Sequence, residues 1–424
     1  MCPCSSQCGQ SASGHRFFRE SADGTVAILT RFCICGSMLL MMTQHASLAG
    51  QRSPAPATTA SLSLVAAVLS RGRFPLTFSL EDGECLALFS LSETGDERGV
   101  VADTLAGHHP FVSGRMTVAG QDVTHRPAGT RGIAVVSRRE VLFDHLTVRE
   151  NVAFPLRVKG IPASELRRLT DERLALLGLD SIANTRPPGL SDGQRLRAAL
   201  ARALATEPGV VILDDIFSGL DAETRRDIHL RLIRLRRARA LSLLLITRDR
   251  ADALAAARRI GVMADGVLLQ LGDAATLIER PASPRVASAM GDANVLIGLA
   301  ISVDDDIAHV RLACGGEMEA MADPSLTEGD LVELCVRPNQ IAPLFQRRQA
   351  ATQEESEGCL PATLLDVIHL GDLIVLRFRL ADGTELTVHR PPGTMAPGVS
   401  PGSTALLAWR AGNALAFPSG GKQG

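Results

Sequence analysis

A chain of 424 residues, 46% of them hydrophobic, has material for two or three domains, each with a core of its own. Its formal net charge of −2 gives no electrostatic footprint for nucleic acid, so a nucleic-acid partner is not expected. No run of eighteen apolar residues occurs, so the chain is not expected to span a membrane by itself.

Residues 1 to about 60 show no sustained periodicity, and Ser53–Ser63 is rich in Pro, Ala, Thr and Ser. This composition predicts a disordered extension. Five of the nine cysteines (Cys2, Cys4, Cys8, Cys33 and Cys35) fall here, with no second Cys/His pair at zinc spacing. Val26–Met42 imitates a signal peptide but is interrupted by Arg31, Gly36 and Ser37. Translation starting near Met41 or Met42 is the better account.

Two strand-like runs follow, Leu62–Leu69 and Phe74–Leu80, then a turn at Glu81–Glu84 and a buried strand at Cys85–Phe89. Ser113–Val118 with Gly120–Val123 reads as a small antiparallel hairpin, and Gly132–Val136 as the next strand. Glu165–Leu177 has the apolar spacing of an amphipathic helix. The stretch Leu190–Asp221 is the most informative. Leu190-Ser191-Asp192-Gly193-Gln194 leads into a helix whose Leu196, Ala199, Leu200, Ala203 and Leu204 fall at i, i+3, i+4, i+7 and i+8. Pro208-Gly209 breaks it, and Val210–Leu213 suits a strand buried on both faces of a parallel sheet. Asp214 and Asp215 stand at the carboxyl end of that strand, where open α/β sheets meet their ligands. Ser218-Gly219-Leu220-Asp221 turns into another helix.

Beyond this come strand Leu241–Ile246, helix Arg250–Ala257, strands Ile260–Ala264 and Val267–Leu271 around Asp265-Gly266, and helix Asp273–Glu279. From about Asn294 the pattern changes to short strands between turn signals: Ile307–Leu312, Leu331–Val336, Leu373–Arg379 and Glu385–His389. Such spacing predicts a small barrel. Gln346–Gly358 is polar and reads as a loop insertion, and Trp409 as a core residue.

The order of motifs across Leu190–Asp221 resembles the signature, Walker B and D-loop of the ATP-binding subunits of ABC transporters. Leu142–Val152 is similar to the start of that family's helical subdomain, and His369-Leu370-Gly371-Asp372 to a motif of the TOBE domain of its importers, with His for Tyr. The resemblance covers about residues 62–418. It implies an α/β P-loop NTPase-like fold, an ABC nucleotide-binding domain with an antiparallel flank and a helical subdomain, followed by a small all-β OB-like barrel. The boundaries it implies are 1–60 for the extension, 61–290 for the nucleotide-binding domain (helical subdomain about 139–190) and 291–418 for the TOBE-like barrel. The expected cofactors are ATP and Mg²⁺. Expected partners are transmembrane permease subunits, a sister ATP-binding subunit and, indirectly, a solute-binding protein, at the cytoplasmic face of the inner membrane.

Carried over residue by residue, the resemblance gives Asp214 the metal and Asp215 the place of the Glu that polarises water. Ser191, Gly193, Gln194 and Asp221 belong to the signature and D-loop, which face a partner's nucleotide. Arg248 stands where the family has its γ-phosphate-sensing His, and Arg138 where it has a Gln. His145 falls at a structural position. The phosphate loop departs most. A P-loop needs glycines to wrap phosphates, a Lys and a hydroxyl. Here Ser90–Arg98 keeps only Gly95, with Asp96 at the lysine position and Glu97 at the hydroxyl position. At an effective dielectric near 20, one unit-charge contact at ~4 Å is worth about 4 kcal/mol. Reversing its sign weakens phosphate binding by roughly a thousandfold or more.

Two functional readings follow. The first is the peripheral ATPase subunit of a solute importer (polyamine, iron or sugar type), impaired in its own ATP site and acting with an intact sister subunit. The second is a non-transport pseudo-ATPase that scaffolds or senses through its TOBE domain, or the product of a decaying gene. Four carboxylates in one pocket also require partners, so Arg138 or Arg248 is expected to pair with Asp96, Glu97, Asp214 or Asp215.

Overall fold

A computed structural model describes residues 60–69, 74–92, 97–138, 142–239, 241–345, 358–394 and 398–420. The expected N-terminal extension, the cysteine cluster, Gly95, Asp96 and most of the 346–358 insertion lie outside them.

The frame is a six-stranded sheet. Its strands are β3 (Cys85–Ser90), β6 (Ile133–Ser137), β7 (Val210–Asp214), β8 (Ser242–Thr247), β9 (Arg259–Ala264) and β10 (Val267–Gly272), in the order β10-β9-β3-β8-β7-β6. All are parallel except the edge strand β10, which pairs with β9 through the Asp265-Gly266 turn. β3, β7 and β8 are buried along their whole length, as expected of apolar strands covered on both faces. Each fully buried leucine among them contributes about 1.5–3 kcal/mol. An antiparallel sheet, β2-β1-β4-β5, is built from β1 (Ala60–Val68), β2 (Leu76–Glu81), β4 (Ser113–Val118) and β5 (Gln121–Asp122). It packs over one face together with α1 (Glu97–Ala106), in a core that includes Leu62, Phe78, Leu105 and Ile212.

The opposite face carries α2 (Val148–Val158), α3 (Ala163–Leu176), α4 (Asp192–Leu204), α5 (Ala222–Arg239) and α6 (Arg250–Ala256), in a second core around Val152, Leu174, Leu200 and Ile228. Thr147 starts α2 through a reciprocal capping box with Glu150. Asn151 is completely buried; its amide donates to the carbonyls of Phe143, Leu146 and Thr147 and its oxygen accepts from the Phe143 N–H. One side chain thus holds the whole 143–147 loop.

Two short helices, α7 (Ala274–Glu279) and α8 (Pro284–Gly291), lead to an all-β region. β11 (Asn294–Asp304), β12 (Ile307–Leu312), β13 (Glu317–Ala322), β14 (Leu331–Val336) and β20 (Ala414–Pro418) close a barrel in the order β11-β12-β13-β20-β14. The expected barrel is present, and a second sheet accompanies it. That sheet is β15 (Ala342–Phe345), β19 (Thr404–Ala408), β16 (Leu360–His369), β17 (Ile374–Leu380) and β18 (Glu385–Arg390). The two share one core, with Trp409 packed at its margin and its ring N–H donated to the Glu319 carbonyl. Helix α8, which periodicity did not reveal, docks Ala287 against Cys335 and Phe417 of the barrel.

Candidate functional site

Because β3, β6, β7 and β8 are parallel, their carboxyl ends share one edge, and the segments that follow them line two adjoining clefts. The wider, about 670 Å³, is lined by Ser90, Ser92, Asp215, Arg225, Arg248 and Asp249 among others. The narrower, about 310 Å³, lies between the end of β6 and α4 and is lined by Arg138, Asp144, Asp192 and Arg195. Ser218 and Gly219 border both.

Asp214 ends β7 and is buried; Asp215 follows it with φ +51°, a left-handed conformation that costs a residue with a Cβ some strain. The Asp215 N–H donates to the Ile246 carbonyl. Its carboxylate lies 2.8 Å from a guanidinium nitrogen of Arg98, in the first turn of α1. Both side chains are largely covered, at 19% and 26% exposure. Arg138 does not join the acids: it donates to the Ser218 carbonyl. Arg248 is exposed at the cleft wall and makes no ion pair among the described residues. The expectation that Arg138 or Arg248 pairs with Asp96, Glu97, Asp214 or Asp215 is therefore corrected at Asp215. Arg98 takes that place from the first turn of α1, which packs across β8 and β7, whereas Arg138, although it follows β6, the strand next to β7, turns to the Ser218 carbonyl. For Asp96 and the Glu97 side chain the expectation lies outside the described residues.

A second network lies beneath the same cleft. Arg225 on α5 is 2.7 Å from Asp249 and 3.5 Å from Asp252, and His229 is 3.1 Å from Asp252 and stacks on Phe217 at 4.0 Å. Burial pushes the Asp249 carboxyl up, but the hydrogen bonds from Arg225 and from the N–H groups of Asp252 and Ala251 outweigh it, leaving the pKa below its ordinary value. Sequence reasoning missed this network. Its signal was the four-residue spacing of Arg225 and His229, which puts both on one face of a helix.

The signature residues sit apart from both acids, at the N-terminus of α4. Ser191 is the N-cap: its hydroxyl accepts from the Gln194 N–H and the Gln194 side-chain oxygen accepts from the Ser191 N–H. Gly193 is buried where a Cβ would lie 2.5 Å from a methyl of Thr224 on α5. Asp221 accepts from the side chain and N–H of Thr224, which holds its carboxyl below the usual range. The structure thus brings Asp214, Asp215 and Arg248 to one edge, while Ser191, Gly193, Gln194 and Asp221 line neither cleft, although Asp192 beside them lines the narrower one.

Residues 74–218 match the ABC transporter family and residues 334–417 the TOBE domain. The spermidine/putrescine import ATP-binding protein PotA of Rubrobacter xylanophilus is 33% identical over 351 residues, 82% of this chain and 90% of its own length. The chain belongs to the ABC transporter family. The Fe(3+) ions import ATP-binding protein FbpC of Brucella melitensis is 34% identical over 299 residues, 70% of this ABC chain and 81% of the relative. Among solved structures, cbiO1 of Clostridium perfringens superposes with a TM-score of 0.47 at 20% identity, covering 54% of this chain and 95% of its own.

The ABC family implies ATP and Mg²⁺ as ligands. Asp214, to which the resemblance gives the metal, is buried at the end of β7 with contacts of its own; Asp215, at the water-polarising place, already has a cation at 2.8 Å, and among the described residues no group of three or more His, Cys, Asp or Glu is placed to hold a metal. The residues present do not fit a divalent ion beside Asp215.

Proposed function

We propose that this chain is the peripheral ATP-binding subunit of an importer, impaired in its own nucleotide site and contributing its signature residues to a sister subunit. In this reading residues 61–290 are the nucleotide-binding domain, with its helical subdomain near 139–190, and 291–418 the TOBE domain. The observation that carries it is the separation within one fold of a neutralised Asp215–Arg98 cleft from a fully formed α4 N-terminus. Ser191, Gly193, Gln194 and Asp221 would face the partner's nucleotide; Asp214, Asp215, Arg138, Arg248, Gly95, Asp96 and Glu97 form the impaired side.

The relatives are named for import of a polyamine, ferric ion, sulfate or thiosulfate and 2-aminoethylphosphonate, which supports an importer of a small charged solute. Among the described residues no helix is long and apolar enough to cross a membrane; in this reading the pore belongs to permease subunits, and the chain sits at their cytoplasmic face. Their docking place would be the helical subdomain, where Phe154 and Val158 of α2 are exposed beside Phe143, itself 4.7 Å from Phe154. The test is ATP binding and hydrolysis by the purified chain, alone and with the permease and ATP-binding subunits encoded beside it. Turnover that appears only in the mixed complex is expected. Ordinary turnover by the chain alone removes the impairment, and failure to join any permease favours a scaffold acting through the TOBE domain.

A further inference from the structure

Apart from the two clefts, a pocket of about 250 Å³ lies at the amino ends of β7 and β8, the opposite edge of the sheet. Leu176 on α3, Leu204 at the end of α4 and Leu235 on α5 give it apolar walls, with Pro208 and Leu241 from the links into β7 and β8. Arg173 and Glu207 complete the lining. A leucine wall needs no charge, yet the Arg173 side chain is only 2% exposed, and a cation so buried requires partners. Its Nε donates to the Leu204 carbonyl, one terminal nitrogen donates to Glu172 at 2.9 Å and the other to Glu207 at 2.6 Å. The two carboxylates are not equivalent. The Glu172 side chain is 38% exposed and that of Glu207 69%, on a left-handed backbone with φ +52°. Glu207 regains its hydration by swinging into water, while Glu172 keeps the buried guanidinium from being left uncompensated.

We propose that this pocket binds a small aliphatic carboxylate, whose chain lies between the leucines and whose head replaces the Glu207 carboxylate on Arg173. The size fits: an apolar cavity of roughly 150 Å³ already admits a benzene-sized guest, so this one has room for a chain of about six carbons. The charge selects the head group, because a guanidinium matches the planar oxygens of a carboxylate and repels an amine. The walls come from α3, α4 and α5 together, so an occupant joins the helical subdomain to the elements packed on the sheet. Asp214, Asp215 and Arg248 stand at the other edge, so the proposal does not depend on how the nucleotide cleft is read.

The experiment is a saturation-transfer NMR titration of the full-length chain at neutral pH, with hexanoate and separately with 1-hexanol. Hexanoate should saturate with a Kd of about 1 mM or below. Hexanol, which has the chain but not the charge, should bind at least roughly tenfold more weakly. Glu207→Gln removes the competing carboxylate and should tighten hexanoate roughly tenfold while leaving hexanol unchanged. Leu176→Trp fills the pocket from its half-buried wall and should abolish binding of both. No saturable hexanoate binding to wild type, equal affinity for hexanol, unchanged hexanoate affinity in a folded Glu207→Gln, or hexanoate binding that survives in a folded Leu176→Trp overturns the proposal. Should circular dichroism show the variants unfolded, the wild-type contrast between hexanoate and hexanol decides. ATP turnover in the mixed complex reads the opposite edge of the sheet, so failure here is distinct from failure of the importer reading.

Discussion

The strand-end cleft and the N-terminus of α4 are unequally equipped. In the cleft, positions that would touch phosphate and metal carry other charges, and Arg98 closes on Asp215. At α4, Ser191, Gly193 and Gln194 occupy the positions that the resemblance gives to the signature. The difference teaches caution about what retention means. Ser191 and Gln194 complete a capping box, and Gly193 keeps α4 close to Thr224; each has a local reason to persist. Lysine and hydroxyl in a phosphate loop have no such second duty.

That comparison can be broken by measurement. The largest expected effect is on ligand affinity. The isolated chain should bind ATP·Mg²⁺ roughly a thousandfold more weakly than an intact family member, about 4 kcal/mol. Submicromolar binding by calorimetry would make the two regions equals. Next comes Ser191. In a mixed complex with an intact sister, Ser191→Ala and Ser191→Asp should each lower ATP turnover about a hundredfold, the size of one lost transition-state donor. Only the alanine should also lower stability, by about 1 kcal/mol, because aspartate still caps a helix. Normal turnover with Ser191→Asp would reduce the serine to a cap.

A control within the sheet separates site effects from frame effects. Glu84 is 2% exposed in its side chain and pairs with Arg259 at 2.6 Å. Burial raises its pKa, but the Arg259 pair and the Glu81 N–H lower it further, so the net direction is down. A folded pKa below the unfolded one gives stability that is present above the unfolded value and lost as pH falls through the folded one. Glu84→Gln should therefore cost about 2 kcal/mol at neutral pH and flatten the acid limb of the stability curve below the ordinary glutamate range, without changing the Ser191 results. The smallest effect belongs to the helical subdomain. Thr147→Ala should lower the melting free energy by about 1 kcal/mol and weaken permease association modestly, since it loosens the start of α2.

Much of the frame was legible because burial writes itself plainly. The runs Cys85–Phe89, Val210–Leu213 and Leu241–Ile246 became fully buried strands, β3, β7 and β8, almost residue for residue. The amphipathic run after Ser191 became α4. Strands β11, β13, β15, β16, β19 and β20 were not picked out, since strands of the barrel and its companion sheet alternate or mix polarity and Ala-rich segments such as Ala414–Pro418 carry little β signal. The site was less legible. That Asp215 would need a counter-charge followed from the acids alone, but which arginine supplies it depends on how α1 packs across β8 and β7 and on Arg138 turning to the Ser218 carbonyl. Likewise Arg225, Asp249, Asp252 and His229 meet only when α5 and α6 pack together.

Arg131 has a consequence for how the molecule opens. It is 4% exposed and gives its donors to four carbonyls, of Thr104 and Leu105 at the end of α1 and of Thr124 and Arg126 beyond the antiparallel hairpin. Its ring contact, Phe111, lies in the same core. The end of α1 therefore cannot fray without stripping several hydrogen bonds at once from a buried cation, and the hairpin cannot lift without doing the same. Helix and antiparallel sheet are joined into one cooperative unit, whose amide hydrogens should exchange together with solvent and not in two separate steps.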